Sequence, residues 1–310
     1  MCIVLWTTQH PDYNNRDEFL ARPASQAEWR NFNKDKRCDV LCGVDTLAGG
    51  TWFGVTRTGA IAVLTNFTEP TENRSASSDV RSRGELVMGF LKMYASEEAD
   101  SDGIQAYLDR VSQEQNEYNG FNLLVGSTKT QQGTMLGYIT NRCDDQFSGN
   151  LLRNARQEAC NGVYGLSNST LATPWPKIHR AKRLMQDVLQ EKSDSDAILE
   201  GVFGMLQDTS GPIRTREDMQ RTIHVEPFLL ASQPNGVQVG ACGSKHSSWY
   251  GTRTSTVLMI SRHAPRRALF VERDVYGCIE PQNEHTQPTL LDFGLESVRA
   301  NHERRYEWSL

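Results

Sequence analysis

The sequence predicts an α+β fold in which packed antiparallel sheets carry helices on their outer faces. Apolar residues follow a strand-like period in several segments, and the period changes to that of a helix in two places. The resulting order is strands, a helix pair, strands, a second helix pair and strands, which is segregated rather than alternating. Because no repeat and no sharp change of composition divides the chain, we expect one domain over residues 1–310.

The composition is that of a folded globular protein. Apolar residues make up 38% and charged residues 23% of the 310 positions, which excludes the disordered and membrane classes. The net charge of −5 argues against a nucleic-acid partner, which would require a basic surface. No apolar run has the length of a transmembrane helix or a signal-peptide core, and the seven scattered cysteines fit a reducing compartment. We therefore expect a cytoplasmic protein without a transmembrane segment, of an oligomeric state that the composition does not predict.

The first fifty residues are predicted to contain one strand followed by loop. Residues 3–8 are β-branched and aromatic, as in a strand, and the turn residues at 10–12 end that strand. Residues 21–50 contain few long apolar runs and several glycines. We therefore interpret them mostly as loop.

A β-hairpin is predicted just after this loop. Residues 51–57 and 60–65 have strand-like composition and are separated only by Thr58-Gly59. A two-residue connection of this kind requires a positive φ angle, which glycine adopts without steric cost. We expect Gly59 to supply it.

The first helix pair is predicted from two apolar stripes at helical spacing. The stripes consist of Leu86, Val87, Phe90, Leu91 and Tyr94, and of Ile104, Tyr107, Leu108 and Val111. Strands are predicted to follow at residues 121–126, 134–140 and 162–167.

The second helix pair is predicted to begin at Thr173-Pro174-Trp175-Pro176. Threonine is a favourable N-cap and proline is tolerated in the first turn, so we expect Thr173 to be the cap. The apolar stripe continues to Leu189, and another helix is indicated over residues 198–206. Strands over residues 254–261 and 268–275 are predicted near the end of the chain.

Cys2 is a candidate nucleophile. If Met1 is removed, Cys2 carries a thiol and a free α-amine on the same carbon, with ordinary pKa values near 8.5 and 8. The neutral amine can then accept the thiol proton without any histidine. Taken alone, the position favours the other interpretation, in which Cys2 is a small buried apolar residue at the start of a strand.

Asn15-Arg16-Asp17-Glu18 allows two interpretations. Four polar residues between strands are typical of a solvated turn, in which Asn or Asp bonds to the local backbone. Alternatively, Arg16 orients a carboxylate or amide of a ligand and is held in turn by Asp17 or Glu18. The residues alone do not decide between the two.

Two further side chains could contact a reacting group. Asn168 follows a predicted strand, where its amide could donate to a developing oxyanion or close an Asx-turn. Arg253 lies at the start of a strand rich in hydroxyl groups, which by itself favours a surface strand edge. Cys38-x3-Cys42 lacks a second pair for zinc and the histidines form no cluster, so we predict no metal site and no required cofactor.

Several motifs together resemble the NRDE family, also called the Transport and Golgi organisation protein 2 family. The stretches that carry the resemblance are Met1-Cys2-Ile3, Asn15-Arg16-Asp17-Glu18-Phe19, Arg22-Pro23, Gly50-Thr51-Trp52-Phe53-Gly54, Leu64-Thr65-Asn66, Gly120-Phe121-Asn122-Leu123, Gly165-Leu166-Ser167-Asn168, Thr173-Pro174-Trp175-Pro176-Lys177 and Tyr250-Gly251-Thr252-Arg253. The resemblance implies a cytoplasmic protein also associated with the Golgi or mitochondria. It further implies roles in protein secretion, lipid or acyl-coenzyme A homeostasis and haem trafficking.

The layout is also similar, more distantly, to N-terminal-nucleophile hydrolases of the choloylglycine and penicillin-acyltransferase type. That similarity implies a four-layer αββα sandwich of antiparallel sheets with outer helices, and a cysteine that cleaves linear amides. The catalytic positions that match are Cys2, Arg16, Asp17, Asn66, Asn168 and Arg253. The positions that match ligand contacts are Asn15, Arg16 and Glu18. In this pattern Asp17 or Glu18 supports the terminal amine.

These resemblances imply two hypotheses from different classes. In the first, the chain is a cysteine amidohydrolase or thioesterase acting on an acyl or lipid-like small molecule. In the second, the same pocket binds or carries acyl-coenzyme A, another lipid or haem without turnover. A structural adaptor for secretory membranes ranks last, because no basic amphipathic helix indicates direct docking on a membrane.

One departure from the family pattern affects the expected geometry. Relatives have an apolar strand of about five to seven residues between the turn and the Asn-Arg motif, whereas here Asp12-Tyr13 runs directly into it. A strand from Cys2 to Thr8 travels roughly 20 Å. Unless the first strand is shorter than predicted, we expect no return strand to bring Arg16 back beside Cys2.

Overall fold

The structure is a computed structural model in which fourteen strands and five helices are described. It describes residues 2–7, 12–32, 39–69, 80–130, 133–142, 148–152, 162–213, 215, 217–230, 248–261, 265–277 and 288–310. The turn predicted at residues 10–12 lies partly outside these residues, as does Cys38.

The strands form two sheets in which every pairing is antiparallel within the described residues. The strands of the first sheet, in chain order, are β1 (Ile3–Thr7), β2 (Asp12–Phe19), β10 (Val163–Leu166), β11 (Phe228–Leu230), β12 (Ser248–Ile260), β13 (Arg267–Asp274) and β14 (Glu303–Ser309). Its spatial order is β10-β1-β2-β12-β13-β14, with β11 also paired to β12.

The second sheet is a meander in which consecutive strands are neighbours. Its strands are β3 (Ala24–Asn31), β4 (Asp39–Asp45), β5 (Phe53–Thr56), β6 (Ala60–Asn66), β7 (Phe121–Thr130), β8 (Gly133–Thr140) and β9 (Asn150–Leu151). The helices are α1 (Gly84–Met93), α2 (Ser101–Glu114), α3 (Pro176–Glu191), α4 (Ser195–Leu206) and α5 (Glu296–His302).

Three apolar cores separate four layers. Ile3 of β1 faces a core shared with α3 and α4, whereas the next residue, Val4, faces the space between the sheets. In the second sheet Leu124 faces the same space, and its neighbour Leu123 faces a core shared with α1 and α2. Because successive residues of a strand point to opposite faces, each sheet is buried on both sides. The predicted αββα sandwich is therefore confirmed.

Several predicted elements are found where the pattern placed them. Gly59 has a φ angle of 87° between β5 and β6, so the hairpin is confirmed. The stripes of the first helix pair are the buried faces of α1 and α2, which pack on the second sheet. Local periodicity is sufficient here because one face of each helix must be buried.

The predicted helix cap and the predicted loop were wrong. The helix α3 begins at Pro176 with Trp175 as N-cap, and the Thr173 hydroxyl bonds to Thr170 instead. Proline at the first helical position needs no backbone hydrogen bond, so the helix begins there rather than at the threonine. Residues 21–50 contain β3, whose polar residues and partly exposed face hid the pattern, and β4, whose buried apolar run Val40-Leu41-Cys42 is short.

The expectation of a missing return strand was also wrong. The polar residues Asn14 to Glu18 are themselves part of β2, which runs back along β1 in the register Ile3↔Asn15 and Leu5↔Tyr13. The connection from Thr7 to Asp12 is short, so Arg16 does return to the level of Cys2. The sequence left a solvated turn and a ligand-orienting motif equally open here, because these residues lack the apolar alternation of a strand.

The helices of the described chain include none that is both long and apolar enough to cross a membrane.

Candidate active site

Cys2 lies at the start of β1, a central strand of the first sheet, between β10 and β2. The register Ile3↔Asn15 sets Cys2 against Arg16 when it is continued by one residue. On the other side, the pairing of β1 with β10 ends at Val4↔Leu166, and the chain continues from there into Ser167 and Asn168. The Ser167 hydroxyl donates to the carbonyl oxygen of Cys2 at 2.6 Å, which fixes this end of the strand. Cys2 is thus set opposite Arg16 on one side, and on the other side its carbonyl is bonded to Ser167, the residue before Asn168.

Arg16 occupies the face of the sheet that looks toward the second sheet. Its guanidinium carbon lies 3.7 Å from the centroid of the Trp52 ring, and its Nη2 lies 4.0 Å from Asp45 Oδ2. Asp45 is bound more closely by Arg22, whose Nε lies 2.7 Å from the same oxygen. Arg16 is only 5% exposed, and its Nη1 has no hydrogen-bond partner among the described residues. A buried cationic donor without a partner is suited to receive an anionic group.

Arg253 lies at a β-bulge beside this arginine. The pairing of β12 with β2 shifts between Thr252 and Thr254, which releases Arg253 from the regular alternation of side chains. Its Nη1 donates to the carbonyl oxygen of Arg22. Burial lowers the pKa of Arg253, and the nearby positive charge of Arg16 lowers it further. The guanidinium groups of Arg16 and Arg253 are therefore held close together, and their positive charges are not fully compensated.

Asn168 and Asn66 meet at the junction of the two sheets. The Asn168 side-chain amide donates to the backbone carbonyl of Asn66 at 2.5 Å, while the Asn168 carbonyl accepts from the N–H of Thr68. Asn168 is buried, whereas Asn66 is exposed at the end of β6. The Asn168 amide is thus oriented by its bond to the Asn66 carbonyl, and a side-chain amide carries two N–H donors.

Asp17 points to the opposite face of the sheet from Arg16. Its Oδ1 accepts from the Thr252 hydroxyl at 2.6 Å, and its backbone carbonyl accepts from the Tyr250 hydroxyl at 3.1 Å. Glu18 binds locally, with its carboxylate accepting from the N–H of Phe19. The Asn15 side chain lies outside the described residues.

Lys177 is a site residue that the sequence analysis did not select. It is the second residue of α3 and is fully buried, with its Nζ 3.8 Å from Asp17 Oδ2. A cation in the first turn of a helix is disfavoured by the helix dipole. The position of this lysine directly after Pro176, where the helix begins, therefore indicates that a specific anion compensates its charge.

The pKa of the Cys2 thiol is higher than that of an ordinary cysteine. Burial raises its pKa, and the negative charge of Asp17 raises it further. The positive charges of the amino terminus and Arg16 act in the opposite direction, as does the Asp17 backbone N–H that donates to the sulfur. Burial is therefore the main influence on the pKa of the thiol, and the nearby charges modify it in both directions.

Among the described residues there is no cluster suited to a metal ion, and a small apolar void lies between the sheets. No group of three or more His, Cys, Asp or Glu side chains in this part of the chain could hold a metal ion. The void measures about 10 Å³ and its lining includes Val4 and Trp6, which follow Cys2 on the same face of β1. It has room for about one water molecule, so an acyl chain would have to displace these side chains.

The structure thus brings Cys2, Arg16, Asn168 and the backbone of Asp17 together at one end of the first sheet. Comparison with known proteins agrees with the resemblance seen in the motifs. A family model described as Transport and Golgi organisation 2 matches residues 1–277. The Transport and Golgi organization protein 2 homolog of Bos taurus is 33% identical over 289 residues, which cover 91% of each chain. The Homo sapiens homolog is 32% identical over 291 residues, again 91% of each chain.

Solved structures are more distant. The Caenorhabditis elegans ortholog of N-acylethanolamine-hydrolyzing acid amidase has a TM-score of 0.41 and 11% identity, and the match covers 83% of this chain and 92% of that one. A variant of conjugated bile acid hydrolase from Clostridium perfringens has a TM-score of 0.32 and 11% identity, over 99% and 97%. The family match and the sequence relatives establish the family. This chain belongs to the Transport and Golgi organisation 2 family.

Proposed function

We propose that this chain is a cysteine hydrolase that cleaves the amide or thioester bond of an acyl compound carrying an anionic group. One observation carries the proposal: the register of β1 with β2 sets Cys2 opposite Arg16, and the Ser167 hydroxyl bonds the Cys2 carbonyl directly before Asn168. A nucleophile and a cation are then in adjacent strands, and an amide donor follows the end of the third strand. These are the groups that acyl transfer from an anionic substrate requires.

The proposed reaction begins with transfer of the Cys2 thiol proton to the α-amine of the same residue, which requires that Met1 has been removed. The thiolate attacks the carbonyl carbon and forms a tetrahedral intermediate. The intermediate collapses as the C–N or C–S bond breaks, and the leaving group takes the proton from the amine. Water then hydrolyses the acyl thioester on Cys2 and restores the thiol.

Asn168 is the proposed donor to the oxyanion. Its amide has a fixed orientation because one N–H is already bound to the Asn66 carbonyl. A donor that does not have to reorient stabilises the developing negative charge at little cost. The exposed Asn66 side chain at the end of β6 is proposed as a second donor.

Arg16 and Arg253 are proposed to bind the anionic part of the substrate. The unpartnered Nη1 of Arg16 and the mutual effect of the two guanidinium groups support this assignment. The phosphates of coenzyme A and a simple carboxylate both satisfy such a pair. Asn15 and Glu18 remain proposed ligand contacts beside them.

The second candidate function is binding of an acyl-coenzyme A, another lipid or haem without turnover. The raised pKa of the Cys2 thiol supports this candidate, since a protonated thiol is a poor nucleophile. The two arginines could bind an anion whether or not a covalent step follows. We propose that either activity serves lipid homeostasis of the secretory pathway, at the Golgi or mitochondria, as the names of the relatives suggest for Golgi organisation.

The test compares Cys2→Ala with the wild type on a panel of acyl amides and acyl thioesters, including palmitoyl-coenzyme A. Hydrolysis should fall by at least about a thousandfold, as expected when a covalent nucleophile is removed. Cys42→Ala is the matched control, because Cys42 is a buried free cysteine that packs against α1 and α2. Intact mass of each protein shows whether Met1 is absent. Equal turnover by Cys2→Ala and wild type would rule out the hydrolase.

A further inference from the structure

Lys177 and Asp17 form a fully buried pair between the first sheet and α3. Both side chains have 0% exposure, and Lys177 Nζ lies 3.8 Å from Asp17 Oδ2. The Nζ atom has no hydrogen-bond partner among the described residues. The hydroxyl of Thr252 in β12 donates to the other carboxylate oxygen of Asp17, Oδ1. The carboxylate is therefore contacted from two elements, α3 and β12.

Burial of the Lys177 ammonium raises the free energy of the folded protein unless a nearby negative charge compensates for it. An ammonium group loses most of its hydration inside a protein, and the start of α3 adds a further unfavourable interaction. Burial lowers the pKa of Lys177, while the charges of Asp17 and Cys2 raise it. An apolar side chain of the same length would fill the same space without these costs. Packing alone therefore does not explain the lysine.

Asp17 connects this pair to the candidate nucleophile. Its backbone N–H donates to the Cys2 sulfur, and its negative charge opposes ionisation of the thiol. The other charges that act on Cys2 are Arg16, on the same strand as Asp17, and the amino terminus. The side chains of His224 and Tyr276 are hydrogen-bonded to each other at 2.6 Å. Burial lowers the pKa of His224 and raises the pKa of Tyr276, and the negative charge of Asp17 acts to raise both pKa values. Lys177 forms an ion pair with Asp17 at 3.8 Å.

We propose that Lys177 is a positioning residue for the Cys2 nucleophile, supplying the positive charge beside Asp17 that allows the thiolate to form. The inference deepens the proposed function and rests on it for its biological meaning. When the thiol loses its proton, the ammonium of Lys177 offsets the two negative charges of Cys2 and Asp17. The α-amine of Cys2 still takes the thiol proton, as in the proposed reaction, and Lys177 stabilises the thiolate that remains.

The test measures the pH dependence of Cys2 alkylation by iodoacetamide, read from the mass of the N-terminal peptide. The rate follows the thiolate fraction, so its midpoint reports the thiol ionisation. Lys177→Met should move the midpoint upward by about one unit, which is about a tenfold slower reaction near pH 7.5. Lys177→Arg should retain part of the effect. Lys92→Met, which removes an exposed lysine of α1, is the control and should leave the midpoint unchanged.

The double variant Asp17→Asn/Lys177→Met separates the charge effect from a structural one. Removing both charges should return the midpoint toward that of the wild type, because the opposing carboxylate is then also gone. If Lys177→Met does not fold, the double variant is compared with Asp17→Asn alone, and the midpoint should be higher in the double variant. An unchanged midpoint in folded Lys177→Met, or no difference in the second comparison, overturns the inference.

The two proposals fail in different ways. Alkylation needs no substrate, so the role of Lys177 can be supported when the substrate panel shows no turnover. Conversely, Cys2-dependent turnover with an unchanged alkylation midpoint in Lys177→Met would support the hydrolase and overturn the role of Lys177.

Discussion

The guanidinium of Arg16 lies over the indole of Trp52, with its central carbon 3.7 Å from the ring centroid. The aromatic face and the surrounding sheets remove water from a charge that is 5% exposed. Its nearest carboxylate, Asp45, is 4.0 Å away and already bound to Arg22 at 2.7 Å. The cation is thus fixed in orientation by stacking while part of its hydrogen-bonding capacity remains unused.

Arg16→Ala should weaken binding of palmitoyl-coenzyme A by about 10- to 100-fold, because a hydrogen bond to a charged group contributes about 1.5–3 kcal/mol. Arg16→Lys should recover only part of the loss, since an ammonium neither stacks as well nor forms a fork of donors. Isothermal titration calorimetry with palmitoyl-coenzyme A measures both.

A matched control for this prediction is available on the second sheet. Arg57 also stacks on a tryptophan, with its central carbon 3.9 Å from the Trp29 centroid, and it pairs with Asp39 at 3.2 Å. Arg57→Ala should leave the affinity unchanged. Equal affinities of wild type and Arg16→Ala would exclude Arg16 from the ligand site.

The hydroxyl of Thr252 is expected to contribute strongly to stability. It donates to Asp17 at 2.6 Å and accepts from the N–H of Val225 at 2.9 Å, with no exposed surface. Thr252→Val removes both bonds and should lower the free energy of unfolding by about 2–4 kcal/mol. Urea denaturation measures the loss.

Thr254 provides the comparison two residues further along the same strand. Its buried hydroxyl has no hydrogen-bond partner in the part of the chain that is described. Thr254→Val should therefore be neutral or slightly stabilising, within about 0.5 kcal/mol. Similar decreases in the free energy of unfolding for Thr252→Val and Thr254→Val would show that the hydrogen bond to Asp17 makes no specific contribution to stability.

Cys42 is expected to make stability fall in alkaline solution. Burial raises the pKa of its thiol from 9.0 to about 12, against a smaller lowering by Arg30 and by a hydrogen bond from Thr51. The unfolded chain therefore releases the proton first, so this contribution is present below about pH 9 and is lost as the pH rises toward 12. At pH 10 the loss is about 1.4 kcal/mol.

Chemical denaturation of Cys42→Ala and wild type between pH 8 and 11 measures this contribution. The difference between the two proteins should narrow by about 1.4 kcal/mol from pH 8 to pH 10. Tyr107 titrates in the same range, because burial also raises its pKa to about 12, and it is common to both proteins. A constant difference across the range would show that the Cys42 thiol has the same pKa in the folded and the unfolded protein.

Two glycines of α4 should respond oppositely to alanine. At Gly204 an added methyl group would meet no atom within 4 Å, whereas at Gly201 it would lie 2.8 Å from a methyl of Val188 in α3. Gly204→Ala should stabilise the protein by about 0.5–1 kcal/mol through the lower entropy of the unfolded chain. In Gly201→Ala the contact with Val188 should cancel that gain or reverse it.

Thermal and urea denaturation of the two variants test this pair. A larger gain for Gly201→Ala than for Gly204→Ala would contradict the packing described between α3 and α4.

Much of the fold could be predicted because its signals are local. The hairpin at Gly59 and the stripes of α1 and α2 depend on turn chemistry and side-chain spacing within a few residues. The polar strand β2 and the partly exposed β3 could not be predicted in the same way, because neither has a regular apolar alternation. Their strands exist because neighbouring strands supply the hydrogen bonds.

The candidate site was predicted in part for a similar reason. Cys2 and Arg16 were selected by residue type and motif, without any knowledge of their separation. Lys177 was missed because its partner Asp17 is distant in sequence, and only the packing of α3 on the first sheet brings the two together.

The amino-acid sequence by itself determined the two helix pairs, the apolar strands, the family and the residues from which a site could be built. The tertiary structure alone decided that the polar strand β2 returns Arg16 to a position opposite Cys2, and that the buried Lys177 lies beside Asp17. The physical reason is the distance along the chain over which each interaction acts. Periodicity and turn preference act between near neighbours, whereas strand register and layer packing are set by burial of both faces of a sheet against partners far along the chain.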